Sequence, residues 1–118
     1  KQFIEKRYQT KVFSCKTIRG SNKVALSTRN KLLNKKDLKI SSIIAKELFN
    51  IKLIINRYPS DSKDFIDILK QKMINKFDIK IEYLECRNLI DLSSNLKNKP
   101  FRIFVAYYLN NIRMIDNF

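Results

Sequence analysis

The chain is 118 residues long, with one glycine, two prolines, two cysteines and no histidine, which makes one domain's worth of sequence and too little for two full domains. Its 25 Lys and Arg against 11 Asp and Glu leave a net charge of +14, and twelve basic residues against two acidic ones fall within residues 1–40. The lack of His, of a Gly-rich phosphate loop and of any Ser–His pairing excludes a self-sufficient hydrolase or kinase of a familiar type.

Phe3, Ile4 and Tyr8 stand at helical spacing in the first eight residues, and residues 11–15 then read as a short strand. Cys15, in this strand, and Cys86 both sit in apolar surroundings without a CxxC spacing. They are expected to be buried apolar residues, not a zinc site or a disulfide, in a reduced cytoplasmic protein.

No period is sustained over residues 16–34, where Gly20 and Ser21-Asn22 mark a turn, so this stretch is predicted as a loop. Within it the run Val24-Ala-Leu-Ser-Thr-Arg-Asn30 places two hydroxyls and a permanently charged guanidinium next to one another, at the junction with a following helix. A triphosphate or an adenylate requires such a set of groups. Taken alone, Ser27-Thr28 also fits ordinary turn hydroxyls, and Arg29 fits an ion pair with Asp37 or a helix-end contact.

Asn34 is a suitable N-cap for a helix over 35–53, with Leu38, Ile44, Ala45, Leu48 and Ile51 as its apolar stripe. Tyr58-Pro59 interrupts the pattern. Ser60 or Asp61 caps a second helix that runs to about residue 77 and buries Phe65, Ile68, Leu69, the Lys72 stem and Met73. Alternation at Ile79, Ile81 and Tyr83 predicts a strand, and two more, 101–109 and 112–116, flank Asn110-Asn111. That pair tolerates positive φ at both positions and suits a type I′ hairpin. The polar segment 87–99 is read as flexible, with a short helical turn at 89–92. Arg113 and Asp116 are read as a structural pair on the last strand, and Phe101, Phe104, Tyr107 and Tyr108 as core or sheet-face residues in preference to a base-stacking platform.

The fold class is therefore α+β in two layers, with helices packed on one face of a small three-stranded antiparallel sheet. The longest apolar run, 101–109, is broken by Arg102 and far too short to span a bilayer.

The run "KTIRGSNKVALSTRNKLL", residues 16–33, resembles the second ATP-binding segment of the pantothenate synthetase (pantoate-beta-alanine ligase) family, whose pattern is approximately P-T-V-R-E-x-D-G-L-A-(L/M)-S-S-R-N-x-Y-L. "IRMIDN", residues 112–117, resembles the R-L-I-D-N of that family's last strand, and "IEYLECRNLIDL", residues 81–92, its I-x-Y-x-E-x-x-D-x-x-x-L region. The resemblance implies a ligase that condenses pantoate with β-alanine through pantoyl adenylate, using ATP and Mg2+. Residues 1–15 would be the last helix and strand of an N-terminal nucleotide-binding domain, and residues 16–118 the C-terminal lid domain.

Carried over position by position, Leu26, Ser27, Thr28 and Arg29 would contact ATP, Arg29 would be the catalytic residue, and the Ile18 main chain would meet the adenine edge. Pantoate, β-alanine, the Mg2+ ligands and a homodimer contact would belong to the N-terminal domain, so no metal ligand is expected here and the chain alone should be inactive. Three departures stand out: Thr28 replaces the family's second Ser, Lys16 its Pro, and Asn22-Lys23 its Asp-Gly, with Asn22 still able to adopt a left-handed turn conformation. Neither nucleic acid nor membrane is an expected partner. The rival readings are a small basic nucleic-acid-binding module, suggested by the charge and the aromatics, and a catalytically silent interaction domain. Lys, Ile and Asn supply 47 residues, however, a bias typical of AT-rich coding, so much of the lysine excess fits a merely solvated face.

Overall fold

The computed structural model describes residues 2–118, apart from the side chains of Gln2, Phe3 and Glu5. The expected apolar role of Phe3 thus lies outside the described residues. Helix α1, Gln2–Tyr8, forms where its spacing predicts. Residues 11–15 do not form the predicted strand, and Cys15 is exposed, not buried. A strand needs lateral partners for its N–H and C=O groups, and among the described residues no strand lies beside this segment.

Helix α2, Lys35–Arg57, opens where the Asn34 side chain accepts the Asp37 N–H at 2.8 Å. Ile44, Ala45, Leu48 and Ile55 are buried along one stripe, and the helix runs one turn beyond the expected end at residue 53. It stops at Tyr58, whose backbone (φ −130, ψ 66) is non-helical, as the following proline requires. Pro59–Asp61 then form a tight 3-10 turn into α3, Ser62–Phe77.

The buried face of α3 is Ile66, Leu69 and Met73, while the predicted Ile68 is 67% exposed. Positions 66 and 68 lie about 200° apart on a helix of 3.6 residues per turn, so only one can face the core. Contact with both α2 and the sheet selects Ile66. The Lys72 side chain is also outside, 3.3 Å from Glu47 of α2.

Asp78, in the left-handed region (φ 50), ends α3 and turns the chain into the sheet. Strands β1, Lys80–Asn88, β2, Phe101–Leu109, and β3, Ile112–Asn117, are antiparallel in the order β1-β2-β3. Asn110 and Asn111 take φ values of 46° and 67°, the double left-handed turn predicted for the β2–β3 hairpin. The Asn110 amide also donates to Asp37 at 2.6 Å and so ties the hairpin to the start of α2.

On β2, Phe101, Ile103, Val105, Tyr107 and Leu109 are buried at alternate positions, and α2 and α3 cover that face. The fold is thus α+β in two layers, as the pattern predicts. Burial of Phe101 and Tyr107 removes them from any stacking platform, while Phe104 and Tyr108 are half-buried on the sheet's other face.

The segment between β1 and β2, expected to be flexible, is organised around Asn88, which is 0% exposed. Its amide donates to Ser93 O, Ser93 Oγ and Asn95 O, and its carbonyl accepts the N–H groups of Ile90 and Asp91. Hydrogen bonds from Ser93, first from its backbone, and from Asn88 hold the Asp91 carboxyl well below the usual carboxylate range. Two residues before Asn88 on β1, burial pushes the Cys86 thiol up to about 11, against the opposing pull of the Lys52 charge.

Candidate functional site

The predicted loop is an arch with its own internal bonding. Its legs meet in a bridge between Arg19 and Ala25, with Leu26 N–H donating to Ile18 O at 2.9 Å and Gly20 N–H to Val24 O at 3.0 Å. At the apex Lys23 N–H donates to Gly20 O, and Asn22 Oδ1 accepts Val24 N–H. The left-handed residue is Lys23 (φ 70), not Asn22. Asn22 instead uses its side chain to close the turn, so the left-handed position falls where the family pattern carries Gly. A Cβ on Gly20 would stand 2.9 Å from that Asn22 oxygen, so a larger residue there, such as the Glu of the family pattern, requires the Asn22 side chain to shift.

Past the arch, Ser27 is extended (φ −153, ψ 148) and its hydroxyl accepts the Arg29 N–H at 3.2 Å, capping a 3-10 turn over Thr28–Leu32. Asn30 closes the geometry by donating through Nδ2 to Ala25 O. The segment is held at its ends by buried Val24 and Leu33, 5% and 7% exposed. The groups between these anchors face outward: Leu26 is 64% exposed, and Ser27, Thr28 and Arg29 are all exposed. Two anchored ends with an exposed polar centre are what a loop needs to meet a ligand without losing its shape.

All five predicted residues therefore share one structural unit. Ile18 is 72% exposed beside Leu26; its carbonyl is used by the arch, while its N–H has no backbone partner among the described residues. Among the described residues the Arg29 side chain makes no hydrogen bond or ion pair. The alternative partner, Asp37, is buried and engaged with Asn110. An exposed, unpaired guanidinium flanked by two hydroxyls can bind a phosphate bidentately and stabilise developing negative charge.

Behind Ser27 and Arg29 lies a cavity of about 40 Å³ reaching Tyr107, Met114 and Asp116. Burial, and then the nearby Asp116 charge, push the Tyr107 phenol far above its usual range, so it stays protonated. Asn30 Oδ1 is buried at this site without a donor among the described residues. A groove of about 870 Å³ between the start of α3, β1 and residues 94–97 contains none of the five predicted residues.

The expected Arg113–Asp116 pair does not form. Arg113 binds Glu82 across the outer sheet face at 2.7 Å, and Asp116 instead holds Arg19 of the arch at 2.7 Å. Sequence reading recognised both Arg19 and Asp116 as motif letters, but their pairing spans 97 positions and no local spacing signals it.

The family model for pantoate-beta-alanine ligase matches residues 2–118. Curated relatives include the pantothenate synthetases of Flavobacterium psychrophilum, 27% identical over 94% of this chain, and of Clostridium botulinum, 30% identical over 94%. The chain spans about 40% of the length of each. Among solved structures, the pantoate-beta-alanine ligase of Francisella tularensis complexed with βγ-ATP and β-alanine is 28% identical, with a TM-score of 0.59 over 99% of this chain and 36% of that one. The pantothenate synthetase of Thermus thermophilus shares the fold, with a TM-score of 0.65 over 86% of this chain and 37% of that one, at 19% identity.

Proposed function

Because the chain belongs to the pantoate-beta-alanine ligase family, we propose that it is the lid part of such a ligase, closing on ATP and on pantoyl adenylate while pantoate is condensed with β-alanine. The observation that carries this reading is the outward-facing Ser27-Thr28-Arg29, fixed between buried anchors and with an unpaired guanidinium. Arg29 would clamp the phosphates and gain contacts as negative charge builds on the α-phosphate and the leaving pyrophosphate. The Ser27 and Thr28 hydroxyls would donate to phosphate oxygens, and the Ile18 N–H would meet the adenine edge.

Residues 1–15 would then belong with a nucleotide-binding domain, which would supply the pantoate and β-alanine contacts and the homodimer interface. Mg2+ bound to ATP would supply further charge neutralisation. By the resemblance, any protein ligands of that Mg2+ would belong to the N-terminal domain. A cytoplasmic location fits a biosynthetic ligase, and no described helix is long and apolar enough to cross a membrane.

Titration of the chain with ATP and with a single-stranded oligonucleotide at two salt concentrations tests the reading. ATP should bind saturably and Arg29→Ala should weaken that binding, whereas oligonucleotide binding should be weak and collapse with salt. Tight oligonucleotide binding with no ATP binding at millimolar concentration would replace the ligase reading with the nucleic-acid one. In a ligase assembled from this chain and the N-terminal half of a relative, Arg29→Ala should slow single-turnover adenylate formation by roughly 100-fold, the scale of one lost transition-state donor. Thr28→Ser should be nearly silent because the hydroxyl survives.

A further inference from the structure

Arg19 is the most heavily contacted charged side chain of the arch, and it does not face outward. Its Nη1 donates to Asp116 Oδ2 at 2.7 Å and to Lys23 O at 3.0 Å. Its Nη2 donates to Asp116 Oδ1 at 3.0 Å and to Asn117 O at 2.8 Å. The pair is a bidentate fork, with side-chain exposures of only 15% and 12%. The guanidinium also lies 4.5 Å from the Phe118 ring and 5.0 Å from the Phe49 ring, which themselves meet edge to face at 4.9 Å.

One side chain thus ties three parts of the molecule together: the apex of the arch through Lys23 O, the end of β3 through Asp116 and Asn117, and α2 through Phe49. The receiving end is itself fixed. Phe118 exchanges two backbone hydrogen bonds of 2.9 Å with Ile103, and Arg102 donates to Asn117 Oδ1. Asp116 moreover lines the cavity directly behind Ser27 and Arg29.

From this geometry we infer that Arg19 and Asp116 are positioning residues, a clamp that holds the arch against β3 so that Ser27, Thr28 and Arg29 keep the shape that meets phosphate. The inference rests on the ATP reading above. The clamp has a second effect. Asp116 neutralises Arg19, so among the described residues the arch presents the Arg29 guanidinium to the ligand without a second one that competes for the same oxygens. Its contribution to affinity is preorganisation: a loop already held in its bound shape loses less conformational freedom when the ligand arrives.

The test uses Asp116→Asn, which preserves shape and loses the charge, and Arg19→Lys, which preserves charge and loses the planar fork. Amide hydrogen exchange is followed at Gly20, Lys23 and Leu26 in the arch and at Val105 and Ala106 in β2, together with ATP affinity and a urea melt. Both variants should raise arch exchange at least tenfold while β2 exchange moves much less, and both should weaken ATP binding fivefold or more. Equal acceleration in the arch and β2 would reduce the pair to a general stabilising contact and overturn the inference. So would faster arch exchange with unchanged ATP affinity, or no change in the arch at all. The ATP reading fails separately, if the parent chain binds no ATP or if Arg29→Ala, which should leave arch exchange alone, leaves ATP binding intact. In the first case the ATP-positioning inference falls with it, whatever the exchange rates.

Discussion

Lys23 occupies a backbone conformation that its side chain disfavours, at the position where the family pattern has glycine. At φ 70 its Cβ crowds the neighbouring carbonyl, a strain of roughly 1–2 kcal/mol for a residue with a side chain. Glycine removes that strain but gains freedom in the unfolded chain, which offsets about 0.4–1 kcal/mol. The net expectation for Lys23→Gly is a stabilisation of about 0.5–1 kcal/mol, which for a domain of this size raises Tm by roughly 2–4 °C. No other folded-state term of that size changes. The Lys23 side chain is exposed, and the contacts of this residue with Gly20 O and Arg19 Nη1 are made by its backbone N–H and C=O. Thermal melts and urea midpoints of the parent, Lys23→Gly and Lys23→Ala measure it directly. Lys23→Ala keeps the Cβ and should gain nothing, which separates backbone strain from loss of one positive charge. A Lys23→Gly protein that melts below the parent, or an Ala variant that matches the Gly variant, would refute the strain argument.

Three further outcomes concern Asn88 and the two cysteines. Asn88→Ala removes the five hydrogen bonds that organise residues 89–99 and strands their partners; urea unfolding should show a loss of about 2–4 kcal/mol. For the thiols, one equivalent should react rapidly with an alkylating reagent at pH 8, at exposed Cys15, while Cys86 reacts slowly because its thiol is pushed up to about 11. The sign for stability follows from the same shift. The contribution of Cys86 is whole below the ordinary thiol value of 9.0 and is lost as pH rises toward about 11, so Cys86→Ala should flatten the stability profile between pH 9 and 11.

Local chemistry explains which parts of the fold were legible in the sequence. Asn34 as a cap, Asn110-Asn111 as a turn and the alternation along β2 each encode their structure within a few residues, and each forms as expected. Ile68 and residues 11–15 were misread because their state depends on what lies beside them. A helix with apolar residues on several sides is rotated by its two neighbours at once, and a strand-like segment without a lateral partner remains irregular. Asn88 was overlooked for a related reason: a buried asparagine in a polar loop looks like any other loop residue until its five partners converge on it.

The same distinction applies to the candidate site. The groups proposed to meet a ligand, Ser27, Thr28 and Arg29, are consecutive, so a local motif is enough to single them out. What shapes them is not consecutive: Asp116 closes on Arg19 from 97 residues away, and Val24 and Leu33 act as anchors only because a core exists to receive them. A run that carries only its ligand-facing groups would be a flexible peptide, and the entropy of ordering it would oppose binding. Substitutions at Thr28 and Arg29 should therefore alter the proposed phosphate contacts with little effect on folding, while those at Arg19 and Asp116 should act on the ligand through the shape of the arch. That contrast makes the distant pair as informative about function as the motif it supports.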